Sequence, residues 1–215
     1  MRILLIRHGQ PHIALRPRTG HAGFAGYIDD YEKAGLAPAD LPPEELRDLV
    51  RELDHVFTSD RPRSHQSAAA LAPHAERTAD PLFAEAPLAA PRIPLLQMRV
   101  PKWAVMSRLL WHAGFHPGIE NARAAGARAD QAVDMLIARA RKSGASALVA
   151  HGYFNWMIGR RLLRRGFARS GSHRARYWNT VIYERKDGWV WCMFELEKPR
   201  SRLAGSTVTK RLVDR

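Results

Sequence analysis

The chain has a single cysteine, Cys192, and no apolar run that approaches the length of a membrane span. One cysteine excludes an intramolecular disulfide and any metal site built from several cysteines. A bilayer span needs about 20 consecutive apolar residues. The start, Met1-Arg2 followed directly by an apolar run, lacks the pattern of a signal peptide. These absences lead us to expect a cytoplasmic protein that does not bind membranes.

Acidic residues are scarce in the last third of the chain. Residues 139–215 carry 18 basic and 5 acidic side chains, whereas residues 1–138 carry 16 of each. Such an excess of positive charge raises the local concentration of an anionic ligand, although a solvated arginine-rich surface has the same composition. With 215 residues the chain suits one domain. We place that domain at 1–198, with 199–215 as a basic tail that is a candidate for disorder.

Hydrophobic patterns predict strands that alternate with helices. The strand candidates are Arg2–Ile6, His55–Ser59, Glu76–Thr78, Ala147–Ala150, Thr180–Arg185 and Trp189–Leu196. The helix candidates are Glu44–Leu53, Pro62–Ala72, Lys102–His112, Asn121–Arg141 and Phe154–Arg165. This alternation predicts an α/β protein: a single three-layer α/β/α domain with a mostly parallel central sheet. Lys186-Asp187-Gly188 indicates a C-terminal hairpin at the sheet edge.

Two long stretches lack a regular pattern. Gln10 to Pro43 is rich in glycine, proline and histidine, and Ala84 to Gly118 is rich in proline. Loops of this length in a compact domain commonly form lids or binding loops. We therefore expect them to form a lid near the ends of the strands.

Two of the predicted strands end on a His-Gly pair. Arg7-His8-Gly9 closes the first apolar run, and His151-Gly152 closes Ala147–Ala150. In an open α/β sheet, ligands bind in the crevice outside the carboxyl ends of the strands, so both imidazoles can face one ligand there. The arginine beside His8 indicates that this ligand is a phosphate, because a guanidinium matches phosphate oxygens.

Phosphoryl transfer to an imidazole needs a neutral histidine, cationic donors for the phosphate oxygens and a general acid for the leaving oxygen. His8 is the candidate nucleophile, Arg7 a candidate clamp and His151 a second donor. The segment from Thr58 to Ala68 runs from a strand end into a helix start and adds Arg61 and Arg63. A helix N-terminus binds anions through its free N–H groups.

Three motifs, in order, resemble the signatures of the histidine phosphatase superfamily, the phosphoglycerate mutase-like family. They are Leu5-Ile6-Arg7-His8-Gly9-Gln10, then Thr58-Ser59 with Arg63-Ser64-His65-Gln66-Ser67-Ala68, and finally Leu148-Val149-Ala150-His151-Gly152. The resemblance implies that His8 is transiently phosphorylated, without metal or cofactor. It implies that the phosphoryl group is bound by Arg7, Arg63 and His151. It also implies a carboxylate acid, for which Glu85 fits best and Glu120 competes.

The chain departs from the family after the candidate acid. Pro87-Leu88-Ala89-Ala90-Pro91 stands where a Gly-x-Trp-Glu-Gly pattern is common, which argues against mutase activity. The resemblance thus implies a metal-independent phosphomonoesterase, a histidine-type acid phosphatase that releases inorganic phosphate from a small phosphorylated metabolite. A phosphate or sulfate ion is expected in the pocket. A phosphoglycerate-type mutase, a protein phosphatase and a non-catalytic polyanion-binding module stay open; nucleic acid is not the expected partner, and a dimer is one of the open oligomeric states.

Overall fold

A mixed sheet forms the centre of the protein in a computed structural model that describes residues 1–14 and 18–185. Its strands are β1 (Arg2–Arg7), β2 (His55–Thr58), β3 (Glu76–Ala79), β4 (Ala145–Ala150), β5 (Ala168–Ser170) and β6 (Thr180–Glu184). They lie in the order β3-β2-β4-β1-β6-β5. The four strands from β3 to β1 are parallel, and β6 is antiparallel to both of its neighbours. This architecture confirms the predicted α/β class and the mostly parallel sheet.

The first strand shows why a continuous apolar run marks the middle of such a sheet. All four residues from Ile3 to Ile6 are at most 1% exposed. Ile3 and Leu5 pack in one core cluster, on the side of the later helices, while Leu4 and Ile6 pack in the other. A parallel strand covered on both faces needs apolar side chains in both directions, so no alternation is seen.

Helices cover both faces of the sheet. They are α1 (His21–Lys33), α2 (Glu44–Val50), α3 (Pro62–Leu71), α4 (Val100–His112), α5 (Ala122–Ser143) and α6 (Gly152–Arg164). α5 and α6 pack in one core cluster, and α2 and α3 in the other. The predicted helices are confirmed within a few residues at each end. α1 was not predicted. Within the residues that the structure describes, no helix has the length and hydrophobicity of a transmembrane segment.

The stretch from Gln10 to Pro43, predicted to be irregular, contains a helix, so this prediction was wrong. α1 occupies thirteen residues of this stretch, and Phe24 is its one fully buried side chain. Its N-cap residue, Gly20, has no side chain to bond the first turn. A helix with so little buried surface and no capping side chain leaves a weak pattern in the sequence.

The two long stretches pack on each other. We call the described part of them, residues 10–14, 18–43 and 84–118, the cap. Thr19 and Met98 exchange two backbone hydrogen bonds of 2.9 and 3.1 Å between their N–H and C=O groups. Phe24 stacks on Trp103 with ring centroids 5.6 Å apart, and the indole N–H of Trp103 donates to the Thr19 carbonyl at 2.7 Å. The cap is therefore one packed unit built from both stretches.

The edge of the sheet differs in detail from the predicted hairpin. β6 covers Thr180–Glu184, close to the predicted strand, and its outer partner among the described residues is β5, which was not predicted. The predicted turn at Lys186-Asp187-Gly188, the strand Trp189–Leu196 and the tail 199–215 lie outside the described residues.

Candidate active site

The two predicted histidines meet at the edge of the sheet where β1, β2 and β4 end. His8 follows β1 and His151 follows β4, and the backbone N–H of His8 donates to the Ala150 carbonyl at 2.9 Å. The two imidazole rings lie 5.2 Å apart between centroids, and both residues are 1% exposed. Adjacent parallel strands thus bring residues 143 positions apart into one site, as their strand-end positions predict.

A backbone contact determines which nitrogen of His8 carries the proton. Nδ1 of His8 lies 2.6 Å from the carbonyl oxygen of Gly9. Because a carbonyl only accepts, Nδ1 must donate, and in the neutral ring Nε2 then keeps its lone pair. The ring is therefore held in the tautomer that a nucleophilic Nε2 requires.

The surroundings of His8 keep its ring neutral. Burial, together with the positive charges of Arg63 and Arg7, lowers the pKa of His8 from 6.5 to about 3 against the opposing effect of the Gly9 carbonyl. Tyr31 and Tyr177 flank the ring at centroid distances of 6.3 and 6.0 Å. A neutral imidazole at physiological pH has the free electron pair that attack on an electrophile needs.

His151 is neutral too, but its protonated nitrogen is the other one. Its Nδ1 lies 3.4 Å from Nη2 of Arg63, and its Nε2 lies 2.8 Å from the hydroxyl of Ser59. A guanidinium only donates, so Nδ1 accepts and Nε2–H donates to Ser59. Burial, followed by the charges of His8 and nearby arginines, lowers the pKa of His151 well below 6.5. Ser59 stood in the predicted motif without an assigned role, and the structure makes it the partner of His151.

Arg63 comes from the first turn of α3 and is completely buried. Its Nη1 donates to the Tyr31 carbonyl at 2.6 Å, and its Nη2 lies 3.3 Å from a carboxylate oxygen of Glu32. Its guanidinium carbon stands 4.4 Å from the centre of the Tyr31 ring. The end of α1, in the cap, therefore holds Arg63 against His151.

Arg7, the last residue of β1, is the second arginine beside the histidines. Its guanidinium carbon lies 4.8 Å from the centre of the Tyr177 ring, and it also bonds the side chain of Tyr31. Its buried Nε makes no hydrogen bond within the part of the chain that the structure describes. A Cβ at position 152 would stand 3.4 Å from Arg7 Cδ and Nε, so the glycine of the His-Gly pair lets Arg7 lie against the start of α6.

Gly9 is required by close packing. A Cβ there would lie 2.5 Å from the side chains of Leu36, Asp40 and Trp178. Its N–H donates to the Ser67 hydroxyl at 2.9 Å. Because Gly9 has no side chain, its backbone can lie close to these neighbours, with its carbonyl oxygen against Nδ1 of His8.

Glu85 lies at the start of α6, next to His151. Its Oε1 accepts the N–H of Phe154 at 2.8 Å, and its Oε2 accepts the N–H of Tyr153 at 3.2 Å. Arg108, from α4, donates to the carbonyls of Ala86 and Pro87 and so fixes the loop that carries Glu85. A carboxylate at a helix N-terminus is held by the free N–H groups and by the helix dipole.

Glu120, the competing carboxylate, is engaged elsewhere. Its two oxygens pair with Nε and Nη2 of Arg128 at 2.9 and 2.7 Å. Arg128 also donates to the carbonyls of Leu82 and Ala84. Arg128 therefore supports the chain just before Glu85, and both oxygens of Glu120 are occupied by this bidentate pair.

Three residues without a predicted role lie beside His8 or Arg63: Tyr31, Glu32 and Tyr177. All three lie outside the three motifs, so no motif marked them in the sequence. Glu32 also pairs with the half-exposed Arg61, whose Nε lies 2.7 Å from its carboxylate. Arg61, which lies in the same predicted segment as Arg63, is thus bound to the cap.

Comparisons with known proteins agree on the fold. The model of the histidine phosphatase superfamily (branch 1) matches residues 3–192. The product of a Mycobacterium tuberculosis open reading frame is 18% identical, with 87% of this chain and 92% of that chain covered and a TM-score of 0.54. A phosphoserine phosphatase from Entamoeba histolytica, solved with 3-phosphoglyceric acid, is 12% identical, with coverages of 84% and 89% and a TM-score of 0.52.

A search of curated protein sequences found no significant match. At these identities the solved structures support the fold, and the family model, which spans most of the chain, supports the ancestry. The chain belongs to the histidine phosphatase superfamily, branch 1.

Proposed function

We propose that this protein is a metal-independent phosphomonoesterase that forms a phosphohistidine on His8 and releases inorganic phosphate from a small phosphorylated metabolite. Members of its superfamily are mostly phosphatases or mutases. The observation that carries the proposal is the state of His8. It is buried and neutral, and it donates through Nδ1 to the Gly9 carbonyl, so its Nε2 lone pair is free.

In the first step, Nε2 of His8 attacks the phosphorus, and the bond from phosphorus to the ester oxygen breaks. Arg7 and Arg63 hold the phosphoryl oxygens, on which charge accumulates, and His151 joins them when its Nε2–H exchanges Ser59 for the anion. For Arg63 this means that the phosphate replaces the weak contact with Glu32 at 3.3 Å. The unbonded Nε of Arg7 is a further donor for the anion.

Glu85, in its protonated form, gives its proton to the leaving alcohol. Its carboxylate accepts the N–H groups of Tyr153 and Phe154, two and three residues after His151, and this position beside the site supports the role. In the second step water attacks the phosphohistidine, Glu85 accepts a proton from that water, and inorganic phosphate departs. Because two guanidinium groups supply the positive charge, we expect turnover to continue in the presence of EDTA.

The direct test is to trap the intermediate. Wild-type protein mixed with a ³²P-labelled phosphomonoester and quenched in alkali should carry label that is stable in base and labile in acid, as phosphoramidates are. His8→Ala should carry none and should lose turnover of p-nitrophenyl phosphate by about 10⁴-fold or more. Full hydrolysis by His8→Ala would overturn the proposal. Transfer of label to a second hydroxyl of the substrate, without release of phosphate, would replace it by a mutase.

A further inference from the structure

A groove runs along α6 from Tyr153, the residue whose backbone N–H donates to Glu85. It encloses about 210 Å³ between the end of α4, the start of α5 and the outer face of α6. The residues that give it its character are aromatic or basic: Trp111, His112, Tyr153, Trp156, Arg160 and Arg164. None of them belongs to the constellation around His8.

The aromatic residues form one wall of this groove. The rings of Tyr153 and Trp156 lie 5.2 Å apart with a tilt of 34°, and Trp111 meets Tyr153 edge-on at 6.2 Å. The hydroxyl of Tyr153 lies 2.6 Å from Nε2 of His112, which fixes the ring. A preorganised wall of this kind stacks a flat ring at little entropic cost.

Three arginines line the groove, and two of them carry charges that no carboxylate of the described residues balances. Arg160 and Arg164 are exposed, stand four positions apart on α6, and contact no carboxylate within residues 1–14 and 18–185. Arg161, the third arginine that lines the groove, pairs with Asp130 at 2.9 Å, and Arg165, one turn further along the helix, pairs with Asp134. Like charges four apart on a helix repel each other, and a bound anion removes that cost.

Tyr153 connects the groove to the chemistry. Its backbone N–H holds Glu85 at 3.2 Å, while its ring lines the groove and carries the Arg108 guanidinium at 4.1 Å on its face. The leaving oxygen must lie within reach of the general acid, so the alcohol part of the substrate leaves the phosphate on this side. From Tyr153 to Arg160 the helix advances about 10 Å.

We infer that this groove binds the leaving-group part of the substrate, an inference that rests on the proposed function. The ligand that it fits is an elongated phosphomonoester whose alcohol carries a flat ring and, beyond that ring, a second anionic group. The ring stacks on Tyr153 and Trp156, and the second anion lies between Arg160 and Arg164. The groove selects among substrates, and His8 performs the same chemistry on each.

The test compares two esters that differ only in the second anion, 2-naphthyl phosphate and 6-sulfo-2-naphthyl phosphate. The variant Arg160→Glu/Arg164→Glu reverses the groove charges. Arg141→Glu/Lys142→Glu makes the same change in charge on exposed residues at the far end of α5. The ratio of kcat/KM for the sulfonated ester to that for the plain ester should fall about tenfold in the groove variant. It should stay at the wild-type value in the control.

The aromatic wall has its own readout. Trp156→Ala should lower kcat/KM for both naphthyl esters and leave kcat/KM for glycerol 2-phosphate, which has no ring, unchanged. An unchanged selectivity ratio in the groove variant would overturn the proposed role of the groove, and so would equal losses for all three esters in Trp156→Ala. Neither result would affect the phosphatase proposal.

If the wild type hydrolyses none of these esters, the phosphatase proposal fails and the groove is judged by binding alone. Quenching of tryptophan fluorescence by 2,6-naphthalenedisulfonate, measured on the full chain, then decides. Quenching that weakens in the Arg160→Glu/Arg164→Glu variant and persists in the α5 control would uphold the groove. Equal quenching in both would overturn it.

Discussion

The floor and the wall of the active site are built in different ways. The floor consists of His8, His151 and Arg63, which stand directly at strand ends or in the first turn of α3. The wall consists of Tyr31 and Glu85, which come from the cap. Regular backbone hydrogen bonds place the floor residues, whereas the wall depends on contacts between distant loops. We therefore expect changes in the floor to abolish chemistry and changes in the wall to alter binding, stability or leaving-group dependence.

The largest effect should separate the two arginines of the second motif. Arg63 lies against His151 in the floor, whereas Arg61 is half exposed and bound to Glu32. Arg63→Ala should lower kcat/KM about 10³-fold because it removes a donor to the phosphoryl oxygens, and Arg61→Ala should cost less than about fivefold. Since Arg63 is buried, Arg63→Lys and a melting curve serve to separate lost chemistry from lost folding. Equal losses for the two alanine variants would contradict the role of Arg63 as a donor to the phosphoryl oxygens.

The next effect concerns the two glutamates. Glu85→Gln should lower kcat about 10²-fold for an alkyl phosphate and far less for p-nitrophenyl phosphate, whose leaving group needs little protonation. Glu120→Gln is the control, because its carboxylate pairs with Arg128. It should lower the melting temperature but leave the ratio between the two substrates at the wild-type value. Equal losses with both substrates in Glu85→Gln would exclude Glu85 as the acid.

The buried state of His8 predicts how stability varies with pH. The unfolded chain binds a proton on this histidine below pH 6.5, whereas the folded protein does so only near pH 3, so protonation favours unfolding between these values. His8 should reduce the free energy of unfolding by up to about 1.4 kcal/mol for each pH unit below 6.5. Urea titrations at pH 7 and pH 5 should show a smaller difference for His8→Asn than for wild type. His74→Asn, at an exposed histidine, should behave like wild type.

A mutation in the cap should disturb binding without changing the chemistry. Trp103→Phe keeps an aromatic ring against Phe24 but removes the N–H that bonds the Thr19 carbonyl. We expect a loss of about 1 kcal/mol in the free energy of unfolding. KM should rise while the rate of phosphohistidine formation at saturating substrate stays the same. A fall in the rate of phosphohistidine formation with an unchanged KM would show that the cap affects the chemical step.

The smallest effect is expected at Glu32, whose carboxylate contacts Arg63 in the place of an anion. Glu32→Gln removes this competition and should lower the inhibition constant of inorganic phosphate about threefold. Asp29→Asn, on an exposed residue of the same helix, tests for a general change in charge. The same decrease in both variants would mean that Glu32 does not compete for Arg63.

The positions of the floor residues were predictable because they follow from periodicity and strand ends. A fully apolar run such as Ile3–Ile6 marks a central strand, and the residue after it must lie at the carboxyl edge of the sheet. The same argument, applied to Ala147–Ala150, brings His151 to His8 without any knowledge of the loops. The position of Arg63 at the start of a helix follows from Pro62, which suits a first helical turn.

The wall was less predictable, since it depends on pairs of residues that no local pattern links. α1 buries little surface, so its helical pattern is weak, yet its last turn supplies the carbonyl of Tyr31 and the carboxylate of Glu32 to Arg63. Whether Glu85 or Glu120 stands at the start of α6 depends on Arg128, which binds one of them and holds the loop of the other. Which of the two glutamates lies beside the histidines is therefore decided by tertiary packing.

By itself, the sequence determined the sheet, the family and the meeting of the two imidazoles, because these follow from local hydrogen bonding and from burial on both faces of parallel strands. Only the tertiary structure decided the proton positions on His8 and His151, the partners of each glutamate and the groove on α6. Each of these depends on a neighbour that is distant in the chain, a contact that residue order alone does not specify.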